Sequence, residues 1–177
     1  MTRCLQHTAI TLASLALLLT PGAGHAAELG GVHMPDSYAV GSERLVLNGM
    51  AVRDKFFIKV YVGGLYLSQP SHDAQDIIRA DAPKALLMQF VRDVARDKLV
   101  EAYREGFNHN AAGLATRQKA DMERFLAFLP DVKQGDRIGF VYEPGKGSRF
   151  TFNDNEKLTI AGKEFAEGRL CYAAADT

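Results

Sequence analysis

RLVLNGMAVRDKFFIKVYVGGLYL, residues 44–67, is the stretch around which the rest of the chain is organised. Its last part, Phe56 to Leu67, contains no proline and is rich in aromatic and β-branched side chains, the composition of a long strand with at least one buried face. It is therefore expected to be the central strand. Side chains alternate across a strand, so Ile58, Val60 and Val62 should point one way and Phe57, Lys59, Tyr61 and Leu65 the other. The first face is apolar throughout and the second is mixed. Gly63 and Gly64 give up packing and backbone entropy in mid-strand, which predicts a bulge or the close approach of another element. Upstream, Asn48, Gly49 and Arg53 predict a turn that delivers a cation to the strand's entrance.

Downstream of this stretch, SQPSHDAQDIIRADAP predicts a turn, a short helix near Asp73 to Arg79 and a break at Pro83. ALLMQFV, residues 85–91, is apolar almost throughout, as expected of a strand covered on both faces. Leu99, Tyr103 and Phe107 recur every four residues, with Val100 beside them, and predict an amphipathic helix from Arg96 to Asn108, closed by Asn108, Asn110 and Gly113. A second helix is expected from about Thr116, a candidate cap, to Leu129, with Met122, Phe125, Leu126 and Leu129 on one stripe and Pro130 stopping it. RIGFVYEPGKGSRFTFNDNEKLTIAG alternates apolar and polar residues between turns at Pro144-Gly145 and Asn153-Asp154-Asn155, so it reads as a three-stranded meander. A last helix is expected from Lys163 to about Ala173. Upstream of the central strand, Val32 and Arg44 to Leu47 are expected to form short strands. Antiparallel strands with a helical layer in one domain make an α+β, two-layer architecture: a large antiparallel sheet packed against helices.

The ends bound the rest. Arg3, the apolar run Ala9 to Leu19 and Pro21-Gly22 before Gly24-His25-Ala26 have the form of a secretory signal peptide over residues 1–26, with residues 27–177 as the single folded domain and the periplasm as its expected place. The apolar run is about half of the roughly 20 residues a membrane-spanning helix needs, so stable membrane insertion is not expected after cleavage. Cys4 precedes that run, the wrong side for a lipid-modified cysteine. Removing Arg3 with the leader leaves 20 basic against 21 acidic residues from the 21 of each in the whole chain, and a near-neutral protein offers no footprint for nucleic acid. Cys171 is then the sole cysteine, so no internal disulfide is available.

The run IKVYVGGLYL, preceded by LNGMAVR and followed by a strand, the helix pattern DKLVEAYREGF, a second helix and the hairpin GDRIGFVYEPGKG, resembles the chalcone isomerase family, and most closely its bacterial exported branch. The match runs in consistent order over roughly residues 30 to 168. The resemblance implies an open-faced sandwich with a ligand cleft between sheet and helices. In the plant enzymes that cleft cyclises a flavonoid precursor by intramolecular addition of a phenolate, assisted by an arginine, while a threonine, a tyrosine and an asparagine organise polar contacts. Fatty-acid-binding members keep an arginine and a tyrosine that hold a carboxylate. The resemblance assigns the arginine to Arg53, and Tyr61 falls where the enzymes have threonine and the lipid binders tyrosine. Leu99 falls near the enzymes' tyrosine and Gly106 near their asparagine, departures that count against the plant reaction.

Physical chemistry supports that assignment, because a guanidinium beside a phenol hydroxyl offers a carboxylate or phenolate paired charge-assisted hydrogen bonds plus a further donor. The plainer reading of Arg53 is a solvated loop arginine, and that of Tyr61 a cross-strand aromatic. Lys59 and Tyr103 complete the candidate ligand-binding set; exposure and helix packing are their ordinary alternatives. His33, His72 and His109 lack metal-ligand spacing, so neither metal nor cofactor is expected. Some mitochondrial relatives bind haem, which leaves His109 as the candidate axial ligand of that alternative. Gly145-Lys146-Gly147 sits in a hairpin rather than between strand and helix, unlike a phosphate loop. Relatives continue the last helix into an aromatic Leu-Gly segment where this chain reads GRLCYAAADT, the mark of a diverged or frame-shifted end. The expected function is a monomeric, non-catalytic binder of a small amphipathic acid such as a fatty acid. The alternatives are an intramolecular lyase or isomerase acting on a phenolic or enone substrate, and a partner-binding envelope protein whose cleft has closed.

Overall fold

A computed structural model describes residues 27–110 and 117–168. A two-stranded hairpin, β1 (Ala27–Leu29) and β2 (Val32–Met34), precedes the seven-stranded sheet of β3 (Ser37–Val40), β4 (Glu43–Lys55), β5 (Ile58–Leu67), β6 (Lys84–Phe90), β7 (Arg137–Glu143), β8 (Gly147–Phe152) and β9 (Asn155–Ile160). Within the seven-stranded sheet each strand pairs antiparallel with the next in sequence. Helix α1 (Ala74–Arg79) lies between β5 and β6, helices α2 (Arg96–Asn110) and α3 (Lys119–Phe128) between β6 and β7, and residues 164–168 form a closing helical turn. The α+β sheet-and-helix architecture is the one expected.

Both faces of the sheet are covered, by different things. Leu86, Met88 and Phe90 of β6 join Phe140 and Phe150 under Leu99, Tyr103, Phe107, Phe125 and Phe165 from the helices. On the reverse face Ala85, Leu87, Val62, Tyr66 and Val141 pack against Val32 and Met34 of the small hairpin. This explains the unbroken apolar run of β6, which is also the true middle strand; β5 lies one place from the centre. Each large side chain removed from water this way contributes about 1.5–3 kcal/mol.

Local chemistry explains the helix ends. Asp73 caps α1 by accepting hydrogen bonds from the backbone of Gln75 (2.8 Å) and Asp76 (3.0 Å), as its sequence position predicts. At the other end of α1, the buried Lys84 donates to the carbonyls of Ile77 (2.5 Å) and Ala80 (2.8 Å), placing a cation where the helix dipole is negative. Helix α2 runs through Asn108 to Asn110, so the expected stop at Asn108 is two residues early. Gln118 stands at the N-cap of α3 without a side-chain hydrogen bond. Thr116, Gly113, Cys171, the signal-peptide segment and the atypical C-terminal run fall outside the described residues, as does the side chain of His109.

The opening stretch folds differently from its alternation pattern in three ways. Asn48, Gly49 and Arg53 do not turn; they lie within β4, and the turn is Phe56-Phe57, which the pattern placed inside the strand. Bulges fall away from the glycines: the register skips Asn48 on β4 and Val60 on β5. The bulge at Val60 reverses the phase, so Tyr61 shares a face with Ile58 and Val60 while Lys59 turns to the other side, opposite Asp54. Gly64 does meet the close approach expected of it. A Cβ there would lie 3.3 Å from Met34 and from Leu47.

Candidate functional site

Beyond Tyr61 the hairpin of β4 and β5 outruns its neighbours: β3 pairs with β4 only as far as Val46, and β6 reaches β5 only to Tyr61. Between this projecting ribbon and the first turns of α2 lies an open cavity of about 890 Å³, within the ~300–1,000 Å³ typical of small-molecule sites. Arg53, Val60 and Tyr61 form its sheet side and Leu99, Ala102 and Tyr103 its helix side, with the loop 92–95 closing one end.

Cross-strand register sets the polar pair. Arg53 and Tyr61 are direct partners on adjacent antiparallel strands, so their side chains leave the sheet on one face with Cβ atoms about 4.5–5.5 Å apart. Both are half-buried. The Arg53 guanidinium donates to the carbonyl of Asp54 at 3.3 Å, and the Tyr61 ring rests edge-on against Phe90 at 5.6 Å between centroids. Such a pair, half out of water at the wall of an apolar hollow, can present two kinds of donor to one anionic group.

Tyr103 belongs to both cavity and core. It is buried, its ring meets Phe125 edge-on at 5.0 Å, and its hydroxyl donates to the Met88 sulfur at 3.5 Å while the residue also lines the cavity. Lys59 is absent from the lining, for the reason given by the Val60 bulge. Of the four expected ligand-binding residues the fold thus gathers Arg53, Tyr61 and Tyr103 and sends Lys59 away.

The helical wall is held from behind. Val94 and Val132 exchange backbone hydrogen bonds at 3.0 Å each, Asp131 accepts from the Arg96 amide at 2.8 Å, and Arg96 donates to the Leu126 carbonyl at 3.1 Å. At the mouth, Lys98 pairs with Glu101 at 3.0 Å, which raises its pKa first through that hydrogen bond. Asp93 accepts from the backbone of Gln134 and from Lys133, and those bonds hold its carboxyl below the usual range.

The cavity exists because Ala102 and Gly106, one turn apart on α2, are too small to fill it. That spacing was visible in the sequence; what hid its meaning was not knowing that the β4–β5 ribbon runs past the sheet just there. Among the described residues no group of three His, Cys, Asp or Glu side chains could hold a metal ion, and no helix is long and apolar enough to cross a membrane. His33 sits on the small hairpin, 3.5 Å from Glu28, far from the cleft in topology.

A family model described as chalcone isomerase-like matches residues 26–171. Among solved structures, the crystal structure of an Arabidopsis thaliana fatty-acid binding protein superposes with a TM-score of 0.68 at 14% identity, over 82% of this chain and 87% of that one. At that identity the likeness is one of fold. No curated protein matches the chain.

Proposed function

The chain belongs to the chalcone isomerase-like family, and from that premise we propose that it is a non-catalytic binder of a small amphipathic acid, a fatty acid or a close analogue, held in the cleft between β4–β5 and α2. The observation that carries this reading is the direct pairing of Arg53 with Tyr61 at the wall of the cavity. A carboxylate there would take charge-assisted bonds from the guanidinium and one from the phenol, with the tail lying along Val60, Leu99 and Tyr103. The Arabidopsis thaliana structure of the same fold is that of a fatty-acid binding protein, which supports the ligand class.

Catalysis finds less support. Leu99 and Gly106, at the positions the family resemblance gives to the enzymes' tyrosine and asparagine, are cavity residues, and neither can donate or accept a proton. Binding alone does not accelerate a reaction, which needs groups that favour the transition state over the bound ligand. The closed-cleft reading required the absence of a hollow beside Tyr61. We place the protein in the periplasm on the signal-peptide form of residues 1–26, to be checked by fractionation and N-terminal sequencing of the mature chain.

The test is extraction of the purified protein and mass spectrometry of what emerges, followed by titration with a long-chain fatty acid. Arg53→Ala should weaken binding by about 10- to 100-fold, the ~1.5–3 kcal/mol of a charged hydrogen bond. Unchanged affinity in that variant, or no acid bound by the parent protein, would overturn the reading.

A further inference from the structure

The turn at the end of the β4–β5 ribbon is built from residues suited neither to the turn nor to water. Phe56 and Phe57 are 83% and 103% exposed, and Ile58 is 50% exposed. They make up three of the four large apolar side chains exposed among the described residues. Both phenylalanines have left-handed backbone, with φ of 51° and 64°, as a two-residue hairpin requires but as Asn and Gly adopt most readily. The chain solves the same geometric problem conventionally elsewhere: Asn153 and Asp154, φ 48° and 64°, close the β8–β9 hairpin.

Charge surrounds the tip asymmetrically. Arg53, Lys55 and Lys59 stand against Asp54 alone within residues 53–59, whereas across the cavity Arg92 and Lys98 are offset by Asp93, Glu101 and Glu105, so the excess of positive charge belongs to the tip itself. We propose that this tip docks the protein on an anionic lipid membrane, Phe56 and Phe57 seated at headgroup level and Lys55 and Lys59 on lipid phosphates. Three apolar side chains on a narrow ribbon fall well short of the ~800 Å² per partner of a stable protein interface. Membrane-surface binding needs only buried apolar area plus attraction to anionic lipid. Phe56, Ile58 and Lys55 also line the cavity, so docking sets the cleft's mouth against the bilayer. The docking itself does not depend on what the cleft holds.

The experiment is flotation without added fatty acid, using vesicles of phosphatidylethanolamine with phosphatidylglycerol and, in parallel, of phosphatidylcholine. Parent and variant chains share one N-terminus, so their difference reports on the tip. The parent should float with the anionic vesicles and release at high salt. Phe56→Asn/Phe57→Gly should lose about tenfold or more in partitioning without a lower thermal midpoint, since Asn-Gly suits the turn. Lys55→Glu/Lys59→Glu should lose about tenfold. The proposal fails if the parent ignores anionic vesicles, binds phosphatidylcholine equally, or keeps its binding in the Asn-Gly variant. It fails equally if that variant turns a dimeric parent into a monomer, which would make a second copy the occupant. None of these failures touches the acid titration of the cleft.

Discussion

Under α3, Phe125 meets the rings of Phe150 (4.8 Å), Tyr103 (5.0 Å), Phe165 (5.9 Å) and Phe107 (6.4 Å); under the middle of α2, Ala102 and Gly106 face the β4–β5 ribbon across about 890 Å³ of cavity. The two regions share one sheet face and adjoining helices, and Tyr103 belongs to both. What separates them is side-chain size on the helix and support beneath the strands. Phe140 and Phe150 sit on interior strands paired on both sides, whereas Arg53 sits where β4 has a partner on one side only. A hollow has been made by withholding packing where the sheet runs out of neighbours.

The contrast breaks most visibly in the solid half. Phe125→Ala should cost about 3–5 kcal/mol and lower the unfolding midpoint by roughly 10 °C in calorimetry; a loss below about 1 kcal/mol would mean that this half is no tighter than the other. On the reverse face, Gly64→Val should cost about 1–3 kcal/mol, because its first carbon already meets Met34 and Leu47 at 3.3 Å. Denaturant titration of the variant should show a lower midpoint at unchanged slope.

In the hollow half, Gly106→Leu sharpens the comparison by inverting it. Replacing a helical glycine should hold or raise stability by up to about 1 kcal/mol, while the new side chain enters the cavity and weakens acid binding. A variant that is stable and still binds normally would separate the cavity from the site.

The last and smallest effect shows itself only at alkaline pH. Burial, first among the causes, pushes the phenols of Tyr66 and Tyr142 up to about 12 from 10.0. Tyr66 donates to the Pro35 carbonyl at 3.0 Å and Tyr142 to Asp81 at 2.5 Å. The unfolded chain releases these protons first, so their stabilisation is complete below pH 10 and is lost as pH rises through about 12. Lys84 acts oppositely: burial lowers its pKa from 10.5, the unfolded chain holds the extra proton, and its contribution grows as pH climbs toward that value. Circular dichroism should therefore show alkaline unfolding that Tyr66→Phe makes less steep.

Legibility followed the length of the pattern. The four-residue recurrence of Leu99, Tyr103 and Phe107 and the two-residue alternation of β7 to β9 each repeat often enough to outweigh local exceptions, so helices and meander could be read directly. Over residues 53–61 a single unpaired residue, Val60, was enough to move Lys59 off the face shared by Tyr61. Nothing in the residue itself announces a bulge. Likewise Phe56 and Phe57 carry strand-forming side chains into a turn, because where a hairpin reverses is set by the pairing of Lys55 with Ile58 and not by the preference of the residues between them.

The amino-acid sequence by itself determined the α+β class, the covered strand β6, the amphipathic helices and the identity of the cation and phenol that could greet an acid. Tertiary structure alone decided that Arg53 and Tyr61 would stand opposite each other, that Lys59 would not join them, and that a hollow would open beside them. The reason is physical: periodicity encodes which face of an element is apolar, but register, bulges and the reach of neighbouring strands are settled only when the elements pair.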